Sequence, residues 1–173
     1  MSQVIALSLS IAVLGGVWAF LALGPLAGFV LVWAGFIAWG CYFHTGGDNA
    51  ALKKTIAGMI YGAILAGIAL LLVVHNPVGL PAAVAAPIYV AVTVFGLVIV
   101  ANVSLLSAVP ANVYGYAATV AYALQTPTVE GAGPLASLTT PSFANPVILL
   151  VVSYVLGAAF GMASGKVADM LKK

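Results

Sequence analysis

Arginine is absent, and five lysines and three acids supply all the formal charge of a 173-residue chain. Charged residues make up 5% of it, against about 25% in an ordinary soluble domain. So little charge cannot solvate a globular surface, which excludes a soluble enzyme. The formal net charge of +2 also leaves out the basic patch that nucleic acid requires. Cysteine is nearly absent: Cys41 stands alone, so no disulfide forms within the chain, and the residue reads as a small buried apolar side chain. No Lys or Arg precedes the first apolar run, so the basic region of a cleavable signal peptide is missing and that run is expected to be a retained helix. No Gly-rich nucleotide loop, nucleophile-base pair or metal-ligand set occurs, so the sequence predicts a chain that is not an enzyme and holds no cofactor. Cys41 and His44 lie one helical turn apart, but nothing completes a zinc-like set, and His44 and His75 fall at opposite surfaces.

Hydrophobic residues, in contrast, make up 64% of the chain, and mean hydropathy is +1.23. A membrane crossing takes about 20 apolar residues, so the length allows six or seven helices and no separate soluble domain. The sequence predicts an all-α polytopic membrane helix bundle in one domain, with spans at 4–23, 26–43, 55–74, 82–101, 110–124 and 146–165. The fifth is short, and is expected to be tilted or partly buried. Gly24-Pro25 ends the first span, and Asp48 is placed to cap the third. Asn76-Pro77-Val78 and Asn145-Pro146-Val147 resemble the paired Asn-Pro motifs of water channels, but both fall on the same side. Each is explained instead by an Asn cap with Pro at the first helical position.

Lysine placement fixes the parity of the spans. Lys53 and Lys54 follow the second span, and Lys166, Lys172 and Lys173 follow the last. Positive charge favours the cytoplasm, and these two places share a side only if the number of crossings is even. Six spans with both termini cytoplasmic is the expected topology, leaving Glu130 as the sole formal charge outside.

None of these spans carries Asp, Glu, Lys or Arg in its core, which disfavours a coupled pump. The remaining polar groups are neutral, and on a helical wheel Asn112, Tyr116, Thr119 and Tyr122 share one arc, with Tyr114 opposite. Such a stripe can line a passage for a small neutral solute, or tie helices together by hydrogen bonds. Phe29, Trp33, Phe36 and Phe43 share a face of the second span and either narrow a passage or pack. Trp33 lies deep enough that its indole N–H is expected to find a partner inside the protein. Gly157, Gly161 and Gly165, and likewise Gly58 and Gly62, recur every fourth residue and mark faces where backbones approach closely, within one chain or between subunits.

Gly16-Val17-Trp18, Trp33-Ala34-Gly35-Phe36, Tyr42-Phe43, Gly46-Gly47 and Val109-Pro110 with Gly115 resemble a family of small bacterial inner-membrane proteins of unknown function. More distantly, the architecture is similar to the algal low-carbon-dioxide-inducible membrane channel, thought to be trimeric. These resemblances imply a homo-oligomer in the inner membrane, a trimer foremost. The function expected is a channel or facilitator for carbon dioxide, ammonia, urea or water. A noncatalytic structural or partner-binding subunit, and a secondary transporter with an ion site of neutral oxygens at a broken helix, are the alternatives.

Overall fold

The computed structural model describes residues 1–128 and 133–172; Glu130 and Lys173 of the charge argument lie outside them. Among the described residues the chain is all-helical, with six α-helices: α1 Gln3–Leu23, α2 Val32–His44, α3 Asn49–His75, α4 Ala82–Ile99, α5 Val109–Gln125 and α6 Pro146–Leu171. Two turns of 3-10 helix, Val100–Asn102 and Ser104–Leu106, follow α4.

Four helical stretches are long and apolar enough to cross a membrane: Gln3–Leu23, Asn49–His75, Ala82–Asn102 and Pro146–Leu171. The other two fall short, α2 with 13 residues and α5 with 17, roughly 20 and 26 Å at 1.5 Å per residue. The second expected span, 26–43, is helical only from Val32. Gly28, at φ +84°, lies in a conformation that ordinary side chains rarely adopt, and the Leu31 N–H donates to Ser153 Oγ of α6 at 2.9 Å. A tertiary acceptor thus stands in for the Ala27 carbonyl that Leu31 would use in a helix.

The caps divide the same way. Asp48 caps α3 through the Ala51 N–H, and Asn145 caps α6 through the Val147 N–H with Pro146 in the first turn. Asn76 departs from expectation: it closes the C-terminus of α3 at φ +42°, and its amide donates to the Leu80 carbonyl.

Side-chain pairs fix the helix directions. Ser10 meets Ser164 while Trp18 meets Phe160, so α1 and α6 are antiparallel. Leu31 meets Ser153 and Trp39 meets Ser164, so α2 runs parallel to α6. Gly58 faces Ala111, and Gly62 faces Asn112 and Tyr116, so α3 runs parallel to α5. Tyr61 bonds Gly96 and Tyr89 bonds Asn76, which sets α4 against α3. Successive helices therefore alternate in direction. Gln3, Gly46, Gly47, Gly165 and Lys172 line one recess, so the α1 start, the α2–α3 turn and the α6 end meet. Lys53, Lys54, Lys166 and Lys172 consequently gather at that end of the bundle.

A repeat emerges from these contacts. Ala34, Gly35, Ala38, Trp39, Cys41 and Tyr42 are the buried residues of α2, and Ala111, Asn112, Gly115, Tyr116, Ala118 and Thr119 are buried in α5 at the same spacing. Gly58, Met59, Gly62, Ala63 and Ala66 of α3 match Ser153, Tyr154, Gly157, Ala158 and Gly161 of α6 in the same way. In α1 and α4, Ala6, Ser10 and Trp18 match Ala85, Tyr89 and Leu97. Each short helix packs in parallel on the long helix of the other half. Because equivalent helices run in opposite directions, the chain is two three-helix units in inverted orientation, and α2 and α5 face each other across the axis that relates them.

Candidate functional site

Both short helices begin where a helix has been interrupted, and interruption leaves backbone carbonyls that need donors. At the end of α4 the Tyr61 hydroxyl donates to the Gly96 carbonyl at 2.9 Å, and Asn112 Nδ2 donates to the Leu97 and Leu106 carbonyls, both at 3.1 Å. Two acceptors on one amide nitrogen fix its orientation. The buried Asn112 Oδ1, which has no hydrogen-bond partner among the described residues, then lies against Gly58, where a Cβ would stand 2.6 Å away. The Gly96, Leu97 and Leu106 carbonyls at this broken helix are thus engaged by Tyr61 and Asn112.

The rest of the polar arc on α5 divides. The Tyr116 hydroxyl bonds Thr93 Oγ1 of α4 at 3.0 Å, while Thr119 Oγ1 donates to the Gly115 carbonyl and lies 3.2 Å from the Tyr154 hydroxyl of α6. Asn112, Tyr116 and Thr119 are thus buried between helices. Asn112→Leu would leave two carbonyls without a donor and is expected to cost about 2–4 kcal/mol. Unfolding in detergent measures it, and wild-type stability would remove Asn112 from this role. Survival of the bundle after that substitution, the natural expectation for a pore-lining side chain, no longer follows.

Tyr122 turns elsewhere, toward Trp33, with ring centroids 6.5 Å apart. Trp33, Ala121, Tyr122, Gln125 and Thr126 line a cavity of about 380 Å³. Trp33 and Ala121 also line a second of about 290 Å³, with Ile37, Tyr114, Ala117 and Ala118. Together they line a groove between α2 and α5, the equivalent short helices of the two halves. At its lysine end, His44 Nδ1 and the Tyr114 hydroxyl lie 3.0 Å apart. Among the described residues that line the groove there is no Asp, Glu, Lys or His. The Trp33 indole N–H, expected to be partnered, makes no hydrogen bond among the described residues, whereas Trp18 bonds the Val32 carbonyl and Trp39 bonds Ser164. The other aromatics of that arc pack: Phe36 stacks on Trp39, and Phe29 meets Phe143 edge-on.

The glycine seams lie inside the chain. A Cβ at Gly157 would overlap the Gly35 backbone of α2, and at Gly161 it would lie 3.1 Å from Trp39 and Tyr42; Gly165 faces Tyr42 and Phe43. Gly58 and Gly62 pack on α5. Gly161→Leu therefore strikes Trp39 and Tyr42 of its own chain. Among the described residues no group of three or more His, Cys, Asp or Glu could hold a metal.

A family model described as "protein of unknown function (DUF1097)" matches residues 8–169. The chain belongs to that family. No curated protein and no solved structure matches it. Within this family member, Ala117 and Ala121 are groove residues that the polar-arc reading missed. Their signal was the run of small residues on α5, Ala117, Ala118 and Ala121, opposite the aromatic face of α2.

Proposed function

We propose that this chain is a noncatalytic membrane facilitator that lets a small neutral solute move downhill along the α2–α5 groove. The observation that carries this reading is the groove's position: an almost uncharged cleft between the two short helices, where two inverted halves meet. Solute sites in membrane proteins built from inverted repeats lie at such a junction. Carbon dioxide, ammonia, urea and water are the solute class, since the described residues that line the groove offer no fixed charge to hold an ion. All six helices traverse the bilayer in this reading, α2 and α5 with the segments that precede them. The lysine end faces the cytoplasm of a bacterial inner membrane, so both termini do, which reporter fusions at either terminus read directly. A neighbouring copy in a homo-oligomer, a trimer foremost, covers the lipid-facing side of the groove.

Stopped-flow measurements on proteoliposomes with these four solutes test the proposal. Wild-type protein should raise the permeability of at least one above that of empty vesicles, with a final distribution that ignores an imposed proton or sodium gradient. Concentrative uptake would instead select a transporter. A structural or partner-binding subunit is the competing reading, favoured by the engagement of Asn112, Tyr116 and Thr119 between helices; permeabilities equal to those of empty vesicles would select it.

A further inference from the structure

Away from the α2–α5 groove, the lysine end of the bundle carries an amphipathic hollow. Gly46, Gly47, Asp169 and Lys172 border a recess of about 200 Å³ where the start of α1, the α2–α3 turn and the end of α6 come together. A larger hollow of about 600 Å³ adjoins it, since Gln3 and Leu7 line both. Along the larger one Val4, Leu7 and Ile11 share one face of α1, and among its described lining residues only Gln3 and Ser8 are polar. The recess, in contrast, holds one charge of each sign. Lys172 Nζ donates to Asp169 Oδ1 at 2.7 Å, a pair formed within the last turn of α6. That bond uses one of three ammonium donors and one of about four acceptor positions on the carboxylate, so each group can take a second partner without leaving the first. The partly positive start of α1 and the partly negative end of α6 bring backbone charge of both signs to the same place.

α1 turns apolar at Val4, so in a bilayer the recess lies at headgroup level and the larger hollow lies in the hydrocarbon beneath it. A ligand that fits both carries an anion and a cation close together, with a hydrocarbon chain attached. We propose that the recess and the adjoining face of α1 bind one phospholipid of the phosphatidylethanolamine class, its phosphate on Lys172, its ammonium on Asp169 and one acyl chain along Val4, Leu7 and Ile11. From Gln3 to Ala12 the helix rises roughly 14 Å, enough to guide the headgroup-proximal part of that chain. The N–H groups of the ammonium decide the class: a choline headgroup has the same charges but no donor for Asp169, and a glycerol headgroup has no cation. The inference rests on the chain spanning a bilayer with its lysine end at the surface, and is independent of whether the α2–α5 groove conducts.

Native mass spectrometry of the full-length protein in mild detergent tests it, with phosphatidylethanolamine, phosphatidylcholine and phosphatidylglycerol of identical acyl chains supplied in equal amounts. Wild-type protein should retain one phosphatidylethanolamine with roughly tenfold preference over either competitor. Asp169→Asn should bring the ethanolamine-to-choline ratio to about one, and Lys172→Gln should weaken retention of all three lipids. Both residues form a surface ion pair whose loss costs little stability, so both variants should fold. Lys53→Gln removes a charge from the same end but not from the residues that line the recess, and should keep the wild-type preference. Glycerophosphoethanolamine, the headgroup without its chains, should not displace the lipid at equal concentration. The inference is overturned by equal retention of the ethanolamine and choline lipids, by stronger retention of phosphatidylglycerol, or by no bound phospholipid. It is overturned equally by a preference that survives Asp169→Asn or is lost in Lys53→Gln, and by displacement with the bare headgroup. Solute permeability enters none of these readings, so failure here and failure of the α2–α5 pathway are separately visible.

Discussion

Gly62→Leu is expected to leave no stably folded protein, whereas Gly16→Leu in the same background should be close to neutral. A Cβ at Gly62 would overlap the Asn112 carbonyl and stand 2.6 Å from the Tyr116 nitrogen, both backbone atoms that no rotamer change can move. Relief requires α3 and α5 to separate, and separation undoes the companion contacts of Gly58 with Ala111 and of Gly115 with Met59. Overpacking a core costs typically about 1–3 kcal/mol and occasionally more, and a seam blocked by backbone belongs at or above the upper end. At Gly16 nothing lies within 4 Å of the added atom. Thermal unfolding and gel filtration in mild detergent distinguish the two variants; a monodisperse Gly62→Leu protein with wild-type unfolding would disprove the close α3–α5 approach.

The second large effect concerns transport. Ala121→Trp puts an indole into the part of the groove common to both cavities, opposite Trp33, and should lower solute permeability at least about tenfold, because space alone carries the solute in a pathway without charged sites. Val92, 63% exposed on the outer face of α4, is the matched control: Val92→Trp places the same indole away from the groove and should leave flux unchanged. Both variants should unfold like wild type, since Ala121 is only partly buried and faces open space. Equal flux through both would place the pathway elsewhere.

Much of the fold is legible in the hydropathy of the chain, because a long apolar run between Gly-Pro or Asn-Pro breaks has few alternatives to helix. α1 and α4 follow that pattern closely, as do the caps at Asp48 and Asn145, whereas α3 begins six residues before its expected span and α6 ends six residues after. The late start of α2 does not, because Leu31 is released from the helix by Ser153, a partner far along the sequence. Asn76 shows a related limit: Asn-Pro reads equally well as the start of a helix, and here the left-handed turn at the end of α3 takes the asparagine instead.

The inverted repeat is hidden for another reason. What the halves share is which positions are buried, not which residues occupy them: Trp39 answers to Tyr116, and Gly35 to Asn112. The site was legible only in part. A helical wheel correctly places Asn112, Tyr116 and Thr119 on one side of α5, but polarity does not say whether that side faces a passage or the unpaired carbonyls of α4. Trp33 and Tyr122 face the groove, while Ala117 and Ala121 carry no chemical mark that a search for polar groups would notice.

The most direct measurement is reversible block within one preparation. Cys41→Ala, Ala121→Cys protein in proteoliposomes is assayed for urea and ammonia permeability before treatment with a methanethiosulfonate reagent, after it, and again after reduction. The α2–α5 pathway predicts that flux falls about tenfold on modification and returns when the adduct is removed. Stoichiometric modification of the thiol with undiminished flux would contradict it.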